Sequence, residues 1–273
     1  MLQLRAMSLD NALRDGEPVI LIDRKGRRYL KHLRAGHRIV IRGTVVKSDS
    51  VIGTEEGSMV GRGQPEAFRV FRPSYAELIP LIARTAEPIF PKDVGMILTR
   101  GDIRPGQTVL EIGVGAGATS MALLRAVGES GRLISQELRP EMAEGARKTV
   151  HEHFGPAPNW EIRIGDGREA LTQPDRGADQ TFDRVVADVP DPEALVESVA
   201  EVLRSGGIFV SYVPSVTQVI AFHGALDAHP KFGKGDTFEA LERSWHVEGL
   251  SVRPDQRMVA HTGFLTFVRR LGG

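Results

Sequence analysis

Cysteine is absent from this chain of 273 residues. Disulfides and thiolate chemistry are therefore excluded, and the composition is compatible with a reducing, cytoplasmic setting. The sequence also lacks any apolar run of about 18 residues or more, so no membrane-spanning helix is expected. Residues Met1–Asp10 hold no long apolar stretch and no cleavage site, so a secretory leader is not expected. No internal repeat or low-complexity tract is present. The eight histidines make no metal constellation. His151 and His153 stand two apart on a predicted helix and do not share a face, so no metal site is expected.

Net charge is missing as well, with 35 basic and 35 acidic residues. The balance is uneven along the chain. Residues 1–75 hold 14 Lys and Arg against 8 Asp and Glu, and the remainder carries the opposite excess. A basic N-terminal module is either a surface for nucleic-acid phosphates or a solvated face. Lys25, Arg27, Arg28, Lys31, Arg34 and Arg38 form its densest cluster.

Two regions differ in pattern. In 1–75, short β-type runs (Val19–Ile22, Arg38–Val46, Phe68–Phe71) alternate with Gly-rich turns, which predicts a small β-barrel or sandwich. Residues 76–100 read as a connecting helical segment broken by Pro88 and Pro91, and 76–273 as the catalytic domain. From about residue 101, strands and helices alternate, the mark of a parallel sheet with crossovers. Strands are predicted at Thr108–Ile112, Arg132–Glu137, Trp160–Ile164, Phe182–Ala187 and Ile208–Val213. Helices are predicted at Thr119–Val127, from Pro140, from Asp191-Pro192 to about Arg204, and from Ser215 to Ala228. The tail, 236–270, reads as two strands.

The most informative stretch is Val109-Leu110-Glu111-Ile112-Gly113-Val114-Gly115-Ala116-Gly117. An apolar run ends in an acid, and three glycines follow at alternate positions. Such a strand-to-helix turn lets backbone approach a nucleotide-like ligand without Cβ clashes. Ligands of open parallel sheets sit beyond the carboxyl ends of the strands. Gly113, Glu137, Asp166 and Asp188 all fall at such ends. Glu137 lies 24 residues after Gly113, close to the spacing of an acid that accepts hydrogen bonds from both ribose hydroxyls. Asp166 suits an adenine amino group and equally suits a simple turn before Gly167. The cofactor candidates are therefore Glu111, Gly113, Gly115, Gly117, Ala118, Thr119, Glu137, Asp166 and Asp188. A dinucleotide also uses such a turn. Glu111 inside the strand, and an apparent hairpin ending the chain, favour S-adenosylmethionine (SAM).

Taken together, these residues resemble the tRNA (adenine-58-N1)-methyltransferase family, the TrmI type of class I SAM-dependent methyltransferase. The resemblance runs through Phe90-Pro91-Lys92-Asp93, the glycine turn, Asp188-Val189-Pro190-Asp191-Pro192, Tyr212-Val213-Pro214-Ser215-Val216-Thr217-Gln218 and Arg257 to Leu265. It implies an α/β, Rossmann-like fold with a mostly parallel seven-stranded sheet and an antiparallel last strand. It also implies a small N-terminal β-barrel-like domain, tRNA as substrate and a homotetramer. Methyl transfer from a sulfonium is an in-line displacement, so alignment and charge placement dominate. A carboxylate accepting from the exocyclic N6 orients the base and stabilises the charge that appears on alkylation. The resemblance gives that role to Asp188. Tyr212 either borders the base or is an ordinary bonded tyrosine. Gln218 is placed near the pocket, and His261 and Thr262 are open between packing and catalysis.

Three positions depart from the family pattern. Phe90 stands where Tyr is expected, Glu193 where Trp is usual, and Gln136 where Tyr often precedes the ribose acid. All three fall on the acceptor side. Two alternative readings follow: the same scaffold acting on a small nucleoside or other metabolite, and a non-catalytic RNA-binding subunit.

Overall fold

A computed structural model describes residues 11–82, 87–170 and 181–272, with the side chains of residues 169 and 170 left aside. The leader reading at Met1–Asp10 lies outside the described residues. The chain divides into two compact units, Met1–Ala83 and Arg84–Gly273, a later division than the composition shift at 75.

The first unit contains β1 (Pro18–Ile22), β2 (Arg28–His32), β3 (Arg38–Ile41), β4 (Thr44–Lys47), β5 (Met59–Val60), β6 (Phe68–Phe71) and the short helix α1 (Tyr75–Leu78). Its main sheet is antiparallel in the order β2-β1-β6-β5, and β3-β4 is a separate hairpin. This is a pair of sheet pieces rather than one closed barrel. The single predicted run Arg38–Val46 is broken by Arg42 and Gly43, both at positive φ (49° and 79°), the conformation that a tight two-residue hairpin demands. β2 was not anticipated: Arg28 is exposed and its other four residues are all partly buried, so no alternation marks it. Leu13, Leu21, Leu33, Val46, Phe68 and Val70 are among the side chains of its core. Two members of the basic cluster are engaged internally: Arg27 pairs with Asp23 and Glu66, and Arg28 with Glu77.

The second unit runs α2 (Pro91–Arg100), β7 (Thr108–Ile112), α3 (Ala118–Val127), β8 (Arg132–Glu137), α4 (Pro140–His153), β9 (Trp160–Ile164), α5 (Gly167–Ala170), β10 (Phe182–Ala187), α6 (Val196–Val202), β11 (Leu203–Val213), α7 (Val216–Ala228), β12 (Asp236–Phe238), β13 (Trp245–Glu248), β14 (Ser251–Pro254) and β15 (Phe264–Arg269). Seven strands form one sheet in the order β12-β15-β11-β10-β7-β8-β9. β7 to β11 pair in parallel, while β15 is antiparallel to both β11 and β12. β7 and β10 are central and mostly buried, hence the apolar stretches Val109-Leu110 and Val185-Val186-Ala187 within them.

The helix expected from Asp191 starts as a 3₁₀ turn, Pro192–Leu195, and Asp191 provides no side-chain cap. α7 is capped as expected: Ser215 and Gln218 form a reciprocal capping box. The tail holds four strands rather than two, because β13 and β14 make an extra hairpin. Among the described residues, no helix is long and apolar enough to cross a membrane.

Candidate active site

The sheet register sets one row of backbone at the carboxyl ends of three central strands. Ile112 pairs with Ala187, and Ala187 with Ser211. The next residue of each strand is Gly113, Asp188 and Tyr212. The Asp188 N–H donates to the Ile112 carbonyl at 2.9 Å, and the Gly113 N–H to the Gln136 carbonyl at 2.9 Å. Gly113 has φ +87°, and a Cβ there would lie 2.3 Å from the Asp188 carbonyl oxygen. Only glycine fits the chain at this crossing.

Beyond this row opens a cleft of about 500 Å³, within the range of small-molecule sites. Gly113 and Gly115 form one wall, Glu137, Leu138 and Arg139 another. Gly165 to Arg168 and Asp188 to Asp191 complete it. Five anticipated residues therefore meet in one cavity: Gly113, Gly115, Glu137, Asp166 and Asp188.

Glu137 is buried, and backbone holds its carboxylate from two sides. The Val114 N–H donates to Oε2 at 3.1 Å and the Arg139 N–H to Oε1 at 3.0 Å. Each oxygen keeps a further lone pair, the requirement for gripping two hydroxyls. Asp166 is engaged differently. Arg168 donates to it from backbone and guanidinium, and these bonds hold its carboxyl below the ordinary aspartate value. The Arg168 Nη1 also reaches Asp191 at 3.3 Å, so one cation joins two walls of the cleft. Arg168 was missed in the sequence. Its signal was the tight Gly165-Asp166-Gly167-Arg168 turn, which returns a side chain onto an acid two residues earlier.

Glu111, also a cofactor candidate, sits apart from the cleft walls. It is 1% exposed. Ser120 and Ser135 both donate to its Oε2, at 2.7 and 2.5 Å, and Oε1 has no partner. Burial raises its carboxyl to about 7, with smaller contributions from the charges of Asp188 and Glu137. Alternation along β7 explains the outcome: Glu111 and Gly113 share a face, yet α3 covers the acid before the cleft opens. Gly117, Ala118 and Thr119 also lie outside the walls. They are the buried start of α3, where a Cβ on Gly117 would lie 3.1 Å from the Ala146 carbonyl.

Among the described residues, none hydrogen-bonds the Asp188 carboxylate, and burial raises its carboxyl to about 7. Tyr212 is half-buried and not part of the cleft wall. Its hydroxyl donates to the Thr262 carbonyl at 2.7 Å, and burial raises it to about 12. Gln218 donates to the Pro190 carbonyl at 2.8 Å, tying α7 to the loop after Asp188. His261 bridges the Pro214 carbonyl (2.9 Å) and Glu239 (3.1 Å), which together raise its pKa.

The glycine cradle, the two-sided grip on Glu137 and the unpartnered carboxylate of Asp188 fit an adenosyl sulfonium.

Comparison with known proteins converges on this chemistry. Residues 79–253 match the family of the tRNA methyltransferase complex GCD14 subunit, and residues 12–60 match the TrmI-like N-terminal family. A tRNA (adenine(57)-N(1)/adenine(58)-N(1))-methyltransferase TrmI of Methanocaldococcus jannaschii is 31% identical, over 92% of this chain and 94% of its own. The solved TrmI of Aquifex aeolicus, a tRNA (m1A58) methyltransferase, has a TM-score of 0.80 and 27% identity, over 96% of this chain and all of its own. A solved SAM-dependent O-methyltransferase of Thermotoga maritima has a TM-score of 0.86 and 27% identity, covering 96% of each chain.

Proposed function

The chain belongs to the TrmI/GCD14 family of class I SAM-dependent tRNA methyltransferases, and on that premise we propose that it methylates N1 of adenine 58 in the T-loop of tRNA, using the Gly113–Asp188 cleft. The carrying observation is Asp188: a carboxylate with no partner among the described residues, at the lip of a glycine-walled cleft.

When bound, SAM supplies an electrophilic methyl whose bond to sulfur breaks, the electron pair returning to sulfur, as the N1 lone pair bonds to carbon. Adenine N1 needs no deprotonation before attack, so no general base is required. Gly113 and Gly115 admit the donor close to the backbone, and Glu137 accepts its ribose hydroxyls. Asp166 is held by Arg168 through both of its oxygens, so an adenine amino group would reach it by displacing one of these donors. Asp188 accepts from the N6 amino group of the target base. Its negative charge opposes the positive charge that develops on the ring in a site largely withdrawn from water. Tyr212, next in the register row, borders the base.

Lys25, Lys31, Arg34 and Arg38 make no ion pair among the described residues. They are the remaining candidates of the basic cluster for tRNA phosphates. A homotetramer accords with the β13–β14 hairpin, where Trp245 (59% exposed), Val247 (70%) and Leu250 (104%) face solvent, a surface typical of subunit contacts. Light scattering on the purified protein reads this directly: a monomer would refute it. A tRNA substrate accords with a cytoplasmic enzyme.

The decisive experiment incubates the protein with SAM and unmodified tRNA, followed by mass spectrometry of the digested RNA. N1-methyladenosine in the T-loop is expected. A product only on free nucleoside, or on an oxygen, would refute the assignment.

A further inference from the structure

Two sequence segments about 170 residues apart meet behind Tyr212. Asp93, in the first turn of α2, is fully buried. Lys92 Nζ donates to both of its carboxylate oxygens at 2.9 Å and to the Thr262 hydroxyl at 2.6 Å. The Thr262 hydroxyl donates to Asp93 Oδ2 at 2.7 Å. Every polar atom of the Thr262 side chain and of the Asp93 carboxylate is thus engaged.

The same Thr262 carries the carbonyl that accepts the Tyr212 hydroxyl. The next residue, Gly263, lies flat on the ring: a Cβ there would stand 2.4 Å from the Tyr212 Cζ. The preceding residue, His261, binds the Pro214 carbonyl two residues beyond Tyr212. Residues 261–263 therefore hold the end of β11 at three points, and the Lys92–Asp93 pair holds the middle one. Buried ion pairs add little net stability compared with apolar packing, but they impose one geometry.

We propose that Lys92, Asp93 and Thr262 form a positioning clamp that fixes the Tyr212 ring at the end of β11, and through it the acceptor base opposite Asp188. This rests on the functional reading above. None of the three needs to touch substrate. They are positioning residues, and a small displacement of the ring is enough to misalign an in-line displacement, where errors near 1 Å cost about a hundredfold in rate.

The test uses the full-length protein with tRNA and SAM, and follows N1-methyladenosine formation. Thr262→Val is expected to lower kcat by about tenfold or more, a fraction of that misalignment limit. KM for SAM and SAM affinity by calorimetry should stay within about twofold, because the clamp lies outside the donor cleft. Thr262→Ser should restore most of kcat. In a Tyr212→Ala background, Thr262→Val should cost less than about twofold further, the non-additivity expected of groups acting through one another. Asp93→Asn should follow the same pattern.

Independent, multiplicative losses in the double variant would overturn the clamp. So would parallel loss of SAM affinity in Thr262→Val, which would mark a fold staple. Wild-type protein yielding no N1-methyladenosine in the same assay would instead overturn the functional reading, so the two failures are distinguishable.

Discussion

Glu111 offers a sharp test of the electrostatics beneath the glycine turn. Its carboxyl is completely buried among Ser120, Ser135 and strand backbone, and burial moves it from an ordinary value of 4.5 to about 7. The folded chain thus holds this proton more tightly than the unfolded chain. The associated stability is fully present below pH 4.5 and is lost as pH rises through about 7. A shift of this size is worth roughly 3 kcal/mol at about 1.36 kcal/mol per unit. Between pH 5 and pH 8, the two-pKa linkage expression gives a loss of about 2.5 kcal/mol. Glu111→Gln keeps the volume and an acceptor for both serine hydroxyls but has no proton to lose. Its amide nitrogen replaces the unpartnered Oε1, a pH-independent cost of about 1–3 kcal/mol.

The difference between the two proteins is therefore the quantity to measure. Urea unfolding should be followed at pH 5 and pH 8 in a Trp245→Phe background. That leaves Trp160, whose indole N–H donates to the Ser135 hydroxyl at 2.8 Å and so reports beside Glu111. Relative to Glu111→Gln, the parent should lose about 2.5 kcal/mol on going from pH 5 to pH 8. Titrations that are not coupled to Glu111 cancel in the comparison. Parallel stability profiles for the two proteins would refute the claim that this acid is buried without adequate solvation.

Asp188→Ala should leave SAM affinity within a few-fold and lower kcat by about a hundredfold or more, while Asp188→Asn, which retains one acceptor oxygen, should lose less; stopped-flow or quenched assays with saturating SAM and tRNA read both. Because burial raises Asp188 to about 7, its acceptor form is lost as pH falls. The rate with both substrates below saturation should drop about tenfold from pH 8 to pH 6, and Asp188→Asn should flatten that limb. Gly113→Ala would force a Cβ to 2.3 Å from the Asp188 carbonyl oxygen at φ +87°. Loss of measurable SAM binding by calorimetry is expected, and wild-type affinity would show that the crossing relaxes freely.

Much of the parallel sheet was legible in advance because each of these strands carries apolar residues among its buried positions and is followed by a turn or polar residue. β7, β8, β9 and β10 have the boundaries that the pattern implies, and their ends delivered Gly113, Glu137, Asp166 and Asp188 to one cleft. β2 was not legible, since a half-buried strand rich in Arg, Lys and His carries no period-two signal. The hairpin β13–β14 escaped for a similar reason: its large apolar side chains face outward.

What distinguishes Glu111 from Glu137 is tertiary. Both are acids on neighbouring strands beside a glycine turn, and only the packing of α3 decides that one is sealed against two serines while the other opens on the cleft. Asp166 is an acceptor in the sequence and a guanidinium partner in the fold. Lys92 and Asp93 meet Thr262 only because α2 and β15 come to lie side by side. Local apolar periodicity specifies where an element begins and ends, since each residue's burial repeats with the geometry of its own backbone. Which polar groups meet is specified by packing between distant elements, and no local pattern carries that information.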